Sequence, residues 1–163
     1  MTAPDYKKAQ REAIKLLDEF GYTSPAIDPA RICKDLGIRV YFAKFTGEDD
    51  KISGFFYGEK NEIYINKEEI PQRQTFTIAH ELGHKIMHEE WLNSPEYKVL
   101  LRKSLGASDD PKEKEANCFA ANLLVPKFML DEYYKIASIE ELATLFLVSA
   151  PVIRARIQFE YNI

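Results

Sequence analysis

Cysteine is scarce in this 163-residue chain, which removes one route to a small stable protein. The two cysteines, Cys33 and Cys118, lie far apart in unlike local sequence, so they make neither a Cys-x-x-Cys metal pair nor a disulfide framework. Two reduced, structural thiols are expected. Long apolar runs are missing too, and no stretch approaches the roughly 20 residues of a membrane-spanning helix. The opening, Met1 to Ala13, carries Asp5, Lys7, Lys8, Arg11 and Glu12 where a secretory leader needs an apolar segment. A cytoplasmic protein is expected. Positive charge is not in excess, with 22 Lys and Arg against 26 Asp and Glu for a net charge of −4, and no Lys/Arg run creates a local basic field. Strong direct nucleic-acid binding is therefore not expected.

Hydrophobic residues make up 45% of the chain, aromatic residues 12% and charged residues 29%, enough for one ordinary globular core. A single domain over residues 1–163 is the natural reading. Ala9, Ala13, Leu16, Leu17 and Phe20 recur at helical spacing and stop at Gly21; a shorter helical stretch covers Pro29 to Leu36 and stops at Gly37. Three short runs rich in Val, Ile, Tyr and Phe follow, Ile38 to Phe45, Lys51 to Tyr57 and Glu62 to Asn66, and read as a three-stranded antiparallel meander. Helical period returns at Pro71 and runs through His88. After a less regular stretch from Asn93 to Ser108, Asp109-Asp110-Pro111 offers a cap and a first-turn proline for a helix ending before Pro126. Ser138-Ile139-Glu140-Glu141 is a capping box, and Ser149 is placed to cap a last helix, so residues 137–163 read as a helical, helix-turn-helix-like end. The class is α+β, a short antiparallel sheet of about three strands packed on helices.

Only three histidines occur, and two fall in His80-Glu81-Leu82-Gly83-His84. Four residues apart on a helix, His80 and His84 share a face and can offer two imidazole nitrogens to one ion. Glu81 is turned about 100° from His80, outside the ligand set but beside a water on the ion, where a general base belongs. Zinc fits such nitrogens and brings the pKa of its water toward about 7. Gly83, costly inside a helix by about 1 kcal/mol, suggests close backbone packing.

A third ligand must come from elsewhere. His88 lies about 12 Å along a straight helix from His80, too far to share a tetrahedral ion. The longer motif with a glycine and a third histidine is absent, since those positions hold Met87 and Glu90. His88 is thus expected near the metal without binding it, facing substrate, or simply exposed. On the helix after Pro111, Ala116, Asn117, Ala120, Leu123 and Leu124 fall within about 80° of Glu113, whereas Glu115 lies about 200° away. A carboxylate on an apolar stripe is costly unless paired or metal-bound, which favours Glu113 over Glu115 as third ligand. Asn117, one turn on, is suited to accept a hydrogen bond from the noncoordinating nitrogen of a ligand histidine.

The block Arg73 to His84, with Glu113-Lys114-Glu115-Ala116-Asn117-Cys118-Phe119-Ala120-Ala121-Asn122-Leu123-Leu124-Val125-Pro126, resembles the ImmA/IrrE metallopeptidases. Together with Glu62-Ile63-Tyr64-Ile65-Asn66, the resemblance covers roughly residues 27–157. It implies a small zincin-like, specifically gluzincin-like, fold with one Zn2+ held by two histidines and a glutamate. It also implies an endopeptidase that cuts a helix-turn-helix repressor of bacteria or their mobile elements. The family's Glu-x-x-Ala-Asn/Asp pattern falls on Glu113 to Asn117, and the length predicts a stand-alone form.

Two rival readings stand beside this one, a DNA-binding regulator with a structural zinc and a toxin-like or sequestering partner of a repressor. The segment Leu142 to Ser149 resembles a helix-turn-helix, but Leu147 holds the turn where glycine is usual and only Arg154 and Arg156 follow, so two packed helices are favoured. Phe55-Phe56-Tyr57 reads first as sheet core, while Lys51 to Tyr57 is also suited to an edge strand that aligns a peptide. For the oxyanion, Tyr97, Tyr133, Tyr134 and His88 all remain candidates.

Overall fold

In the computed structural model, which describes residues 2–47, 50–97 and 110–163, the chain opens with α1, Tyr6–Glu19. Asp5 caps it by accepting from the Lys8 N–H, and Ala9, Ala13, Leu16 and Leu17 form its buried stripe. Helix α2, Pro29–Asp35, starts the same way, with Asp28 accepting from Ala30 and Arg31, and buries Ile32 and Cys33. Gly21 and Gly37 follow the two helices at positive φ, 71° and 78°, which lets the chain reverse without strain. Cys33 and Cys118 are both free thiols.

Strands β1 (Arg39–Ala43), β2 (Gly54–Tyr57) and β3 (Glu62–Asn66) form one sheet in the order β1-β3-β2. The expected antiparallel meander is corrected here: β2 and β3 are antiparallel, but β1 runs parallel to β3, pairing Val40 with Ile63 and Phe42 with Ile65. The reason lies in burial and connection length. Strand β3 carries Ile63 and Ile65, both fully buried, and takes the centre; β2 buries only alternate residues, as an edge strand does. The β2–β3 turn is short, a 3-10 turn over Gly58–Lys60 followed by Asn61 at φ 54°. The link over residues 44–53 is long enough to carry β2 across to the far side of β3.

Helix α3, Pro71–Met87, crosses this sheet and ends at His88, whose φ of −133° breaks the helix before α4, Glu89–Leu92. Helix α5, Pro111–Leu124, is capped by Asp110 through the Lys112 N–H and packs along both α1 and α3. Gly83 permits that closeness: a Cβ there would lie 2.8 Å from Phe119 Cδ1. Phe119, Leu82, Leu123 and Leu124 are fully buried, each contributing roughly 1.5–3 kcal/mol by leaving water.

Helices α6 (Lys127–Tyr133), α7 (Ile139–Phe146) and α8 (Ala150–Tyr161) complete the chain. The Ser138–Glu141 capping box forms, whereas Ser149 starts α8 without a side-chain cap bond. Helices α7 and α8 meet at 107°, with Leu147 left-handed at φ 56°. Of the two arginines that follow, Arg156 is buried, donating from Nε to the Val125 carbonyl and pairing with Glu160 at 3.0 Å. Among the described residues, no single helix is long and apolar enough to cross a membrane. Short α4 and α6 were not anticipated, being too brief to show a helical period. Most of the irregular stretch expected to end at Ser108, and Asp109 with it, lies outside the described residues.

Candidate metal centre

The helical spacing of α3 sets His80 and His84 one turn apart, with ring centroids 4.7 Å from each other in an edge-to-face arrangement. Across the α3–α5 contact, Glu113 reaches both: Oε2 is 3.1 Å from His80 Nε2 and Oε1 is 2.7 Å from His84 Nε2. One atom from each of the three side chains, the two Nε2 and a carboxylate oxygen, lies within 4.8 Å of the others, close enough to share a metal ion. Each imidazole uses its other nitrogen outward, His80 Nδ1 on Asn117 Oδ1 at 2.8 Å and His84 Nδ1 on His88 Nδ1 at 2.9 Å. With each neutral ring protonated on Nδ1, as metal binding through Nε2 requires, two Nε2 lone pairs would face one carboxylate. Two such lone pairs facing an anion repel unless a cation sits among them, so this donor set fits a divalent ion with N and O ligands.

Glu81 sits on the same helix, 4% exposed, with Oε2 accepting from the Tyr97 hydroxyl at 3.2 Å. That hydroxyl also accepts the Phe56 main-chain N–H at 2.8 Å, tying Glu81 to edge strand β2. Burial pushes the Glu81 carboxyl up to about 8, against the pull of His80. Burial likewise brings His84 down to about 4, with Glu113 only partly offsetting it. For His80 burial again opposes the charged form, but the hydrogen bond to Glu113 and the charges of Glu81 and Glu113 prevail and leave it above its ordinary value. Glu113, despite burial, is held well below the carboxylate range by its bonds to the two histidines.

Glu115, the alternative ligand, points elsewhere. Its Oε1 is 2.7 Å from His88 Nε2 and its Oε2 accepts the Asp5 main-chain N–H at 2.7 Å. His88, with a side chain 7% exposed, therefore has both nitrogens engaged inside the protein. Of the oxyanion candidates, Tyr97 borders Glu81, while Tyr133 packs on Phe146 and Tyr134 stacks on Tyr161 at 3.7 Å, in the C-terminal helices. Sequence reasoning missed Trp91, whose ring lies 5.0 Å from that of His84 and 5.0 Å from that of Tyr97, and Asp5, 110 residues from its partner Glu115. No one-dimensional pattern links those positions.

A His-Glu-x-x-His helix, a carboxylate from α5 that meets both histidines and a mixed sheet beside them form a cluster that could hold a metal ion, as in a metallopeptidase, and comparison with known families agrees. Residues 33–158 match the Peptidase_M78 family, described as the IrrE N-terminal-like domain, and the chain belongs to this ImmA/IrrE family of metallopeptidases. It is similar to "Uncharacterized immunity region protein 2" of Bacillus phage phi105, 35% identical over 85 residues, and that match spans about half of each protein, 51% in both cases. A solved structure of a Mycobacterium tuberculosis transcriptional regulator aligns with a TM-score of 0.67 at 16% identity, over 93% of this chain and 46% of that one. At that identity the likeness speaks to fold.

Proposed function

We propose that the protein is a cytoplasmic zinc-dependent endopeptidase that cuts one specific protein, a helix-turn-helix repressor of the phage or mobile-element type. The observation that carries this reading is the convergence of His80 Nε2, His84 Nε2 and the Glu113 carboxylate beside the buried carboxyl of Glu81. In this reading His80, His84 and Glu113 hold one Zn2+, which when bound polarises a scissile carbonyl and lowers the pKa of a water. Glu81, which would be ionised beside a dication, is placed to take a proton from an attacking water and later to return it to the leaving amine. Asn117 Oδ1 keeps the His80 proton on Nδ1, leaving Nε2 for the ion. Strand β2, at the sheet edge, aligns an extended peptide by main-chain pairing. Of the oxyanion candidates Tyr97 is the one bonded to Glu81, and it would have to turn its hydroxyl proton away from that carboxylate to serve there.

The immunity-region relative supports a repressor as substrate. Arg156 speaks against DNA recognition by the C-terminal helices, because its guanidinium is already committed to Val125 and Glu160. The test is to incubate the zinc-loaded protein with the repressor encoded beside it, with and without a chelator, and to compare Glu81→Gln. Cleavage by the parent, its loss with chelator and a drop of about 10²–10⁴-fold in the variant are expected. Equal cutting by Glu81→Gln refutes the mechanism, and a repressor bound but left intact by the parent favours sequestration.

A further inference from the structure

His84 is buried completely, yet its Nδ1 does not meet a carbonyl or a carboxylate, the usual partners of a ligand histidine. It meets a second imidazole, that of His88, at 2.9 Å. His88 in turn meets Glu115 at 2.7 Å through Nε2, and the other oxygen of Glu115 takes the Asp5 main-chain N–H at 2.7 Å. We propose that His88 and Glu115 are positioning residues which together fix the tautomer and ring orientation of His84, with the start of α1 as their anchor. The proposal rests on the zinc-site reading given above and deepens it.

Proton counting leaves one arrangement. If His84 offers its Nε2 lone pair to a metal, its proton is on Nδ1 and must be donated to His88 Nδ1. His88 Nδ1 is then an acceptor, so a neutral His88 carries its proton on Nε2 and donates it to Glu115 Oε1. Glu115 accepts there and from Asp5, and every group in the chain of bonds is satisfied. Protonating both nitrogens of His88 would set two protons against each other between the rings. The carboxylate at the far end makes the His84 imidazole a stronger electron donor. It also explains why an acidic side chain opposite Glu113 on α5, only 17% exposed, is tolerated. The break of α3 at His88, φ −133°, turns that ring back toward His84 instead of letting it run on along the helix axis. Trp91 packs against both rings, at 5.0 and 6.1 Å between centroids, and limits their rotation.

Glu115→Gln separates this role from mere space filling. The amide has one acceptor oxygen for two donors, Asp5 N–H and His88 Nε2–H, so one bond must fail or the His88 proton must move. With three histidines in the chain, long-range 1H–15N spectra of the imidazoles resolve each tautomer. Expected for the zinc-loaded parent is Nδ1–H on His84 and Nε2–H on His88. In Glu115→Gln the His88 signature changes, and zinc affinity measured against a chromophoric chelator falls by about 10–100-fold. His88→Phe, which keeps a flat ring against Trp91, serves as the second variant: it loses similar affinity, and the double variant loses no more than the larger single loss. Unchanged tautomers with zinc affinity within about twofold of the parent in both variants overturn the proposal. If the parent itself binds no zinc, the proposed function fails, while a His88 signature in the metal-free protein that is the same in the parent and in Glu115→Gln overturns the ordering of that ring by Glu115.

Discussion

Replacing Gly83 by alanine sets two effects of known size against each other. On an isolated helix the change stabilises by about 1 kcal/mol, because alanine loses less backbone freedom on folding. In this fold the new methyl would lie 2.8 Å from Phe119 Cδ1, 3.0 Å from Cγ and 3.2 Å from Cβ. Carbon atoms rest at roughly 3.5–4.0 Å, so ring and methyl must separate by about 0.7–1.2 Å. Phe119 is fully buried with no open side to turn into, and such overpacking costs about 1–3 kcal/mol. The net expectation is a loss of about 1 kcal/mol, read as a lower urea midpoint for the metal-free protein. Phe119 also shares α5 with Glu113, so pushing the helices apart moves the carboxylate away from His80 and His84. Ligand distances tolerate only about 0.2 Å, and zinc affinity in a chelator competition should fall by about tenfold. In a Phe119→Leu background the clash is relieved and Gly83→Ala should become neutral or stabilising. A Gly83→Ala protein about 1 kcal/mol more stable than the parent, with unchanged zinc affinity, refutes the close-packing account of this glycine.

Zinc binding should release protons and tighten as pH rises from 6 to 8: His80, raised above its ordinary value, must give up its proton, and Glu81, at about 8 in the metal-free protein, ionises beside a dication, while His84, near 4, contributes nothing in that window. Calorimetry in buffers of different protonation enthalpy measures this, and no release would count against the ligand set. Because the folded protein holds the Glu81 proton more tightly than the unfolded chain, metal-free stability should fall as pH rises from about 4.5 toward about 8. Glu81→Gln should remove that slope and raise stability at pH 8, seen as a higher melting temperature; a lower one would contradict the burial argument. Asn117→Ala should weaken zinc binding by about tenfold in the chelator assay, and by less than twofold if Asn117 is an ordinary surface residue. Arg156→Ala should cost about 3–5 kcal/mol in urea unfolding by stranding buried Glu160, whereas exposed Arg154→Ala should stay within about 0.5 kcal/mol.

Elements with a strong local signal were legible in the sequence. Caps at Asp110 and Ser138 and the glycine stops at 21 and 37 stand where their chemistry places them. The sheet was legible as three strands but not as an order. A meander is the shortest connection, and nothing in a one-dimensional pattern says that Ile63 and Ile65 will both be buried and take β3 to the centre. That order has a consequence for the site: it leaves β2 at the edge, with Phe56 N–H directed to Tyr97 instead of to a neighbouring strand.

The candidate site shows where helical phase informs and where it stops. Phase put Glu113 on the face of α5 that meets the histidines, and the carboxylate does reach both of them. The accompanying burial argument does not separate the two glutamates, because their side chains are 22% and 17% exposed, with Glu115 the more covered. Phase gives the angle between two residues on one helix; it cannot say how many neighbouring elements that helix has. Helix α5 lies between α3 and α1, so the face opposite Glu113 is also covered, and its acidic residue is compensated by His88 and by the Asp5 main-chain N–H at the start of α1. The same geometry explains Asn117, which phase counted with the buried stripe and which is exposed while still touching His80. A helix packed on two sides has two lines of charge to satisfy, and in this protein both lead back to His84 on α3, one directly through Glu113 and the other through Glu115 and His88.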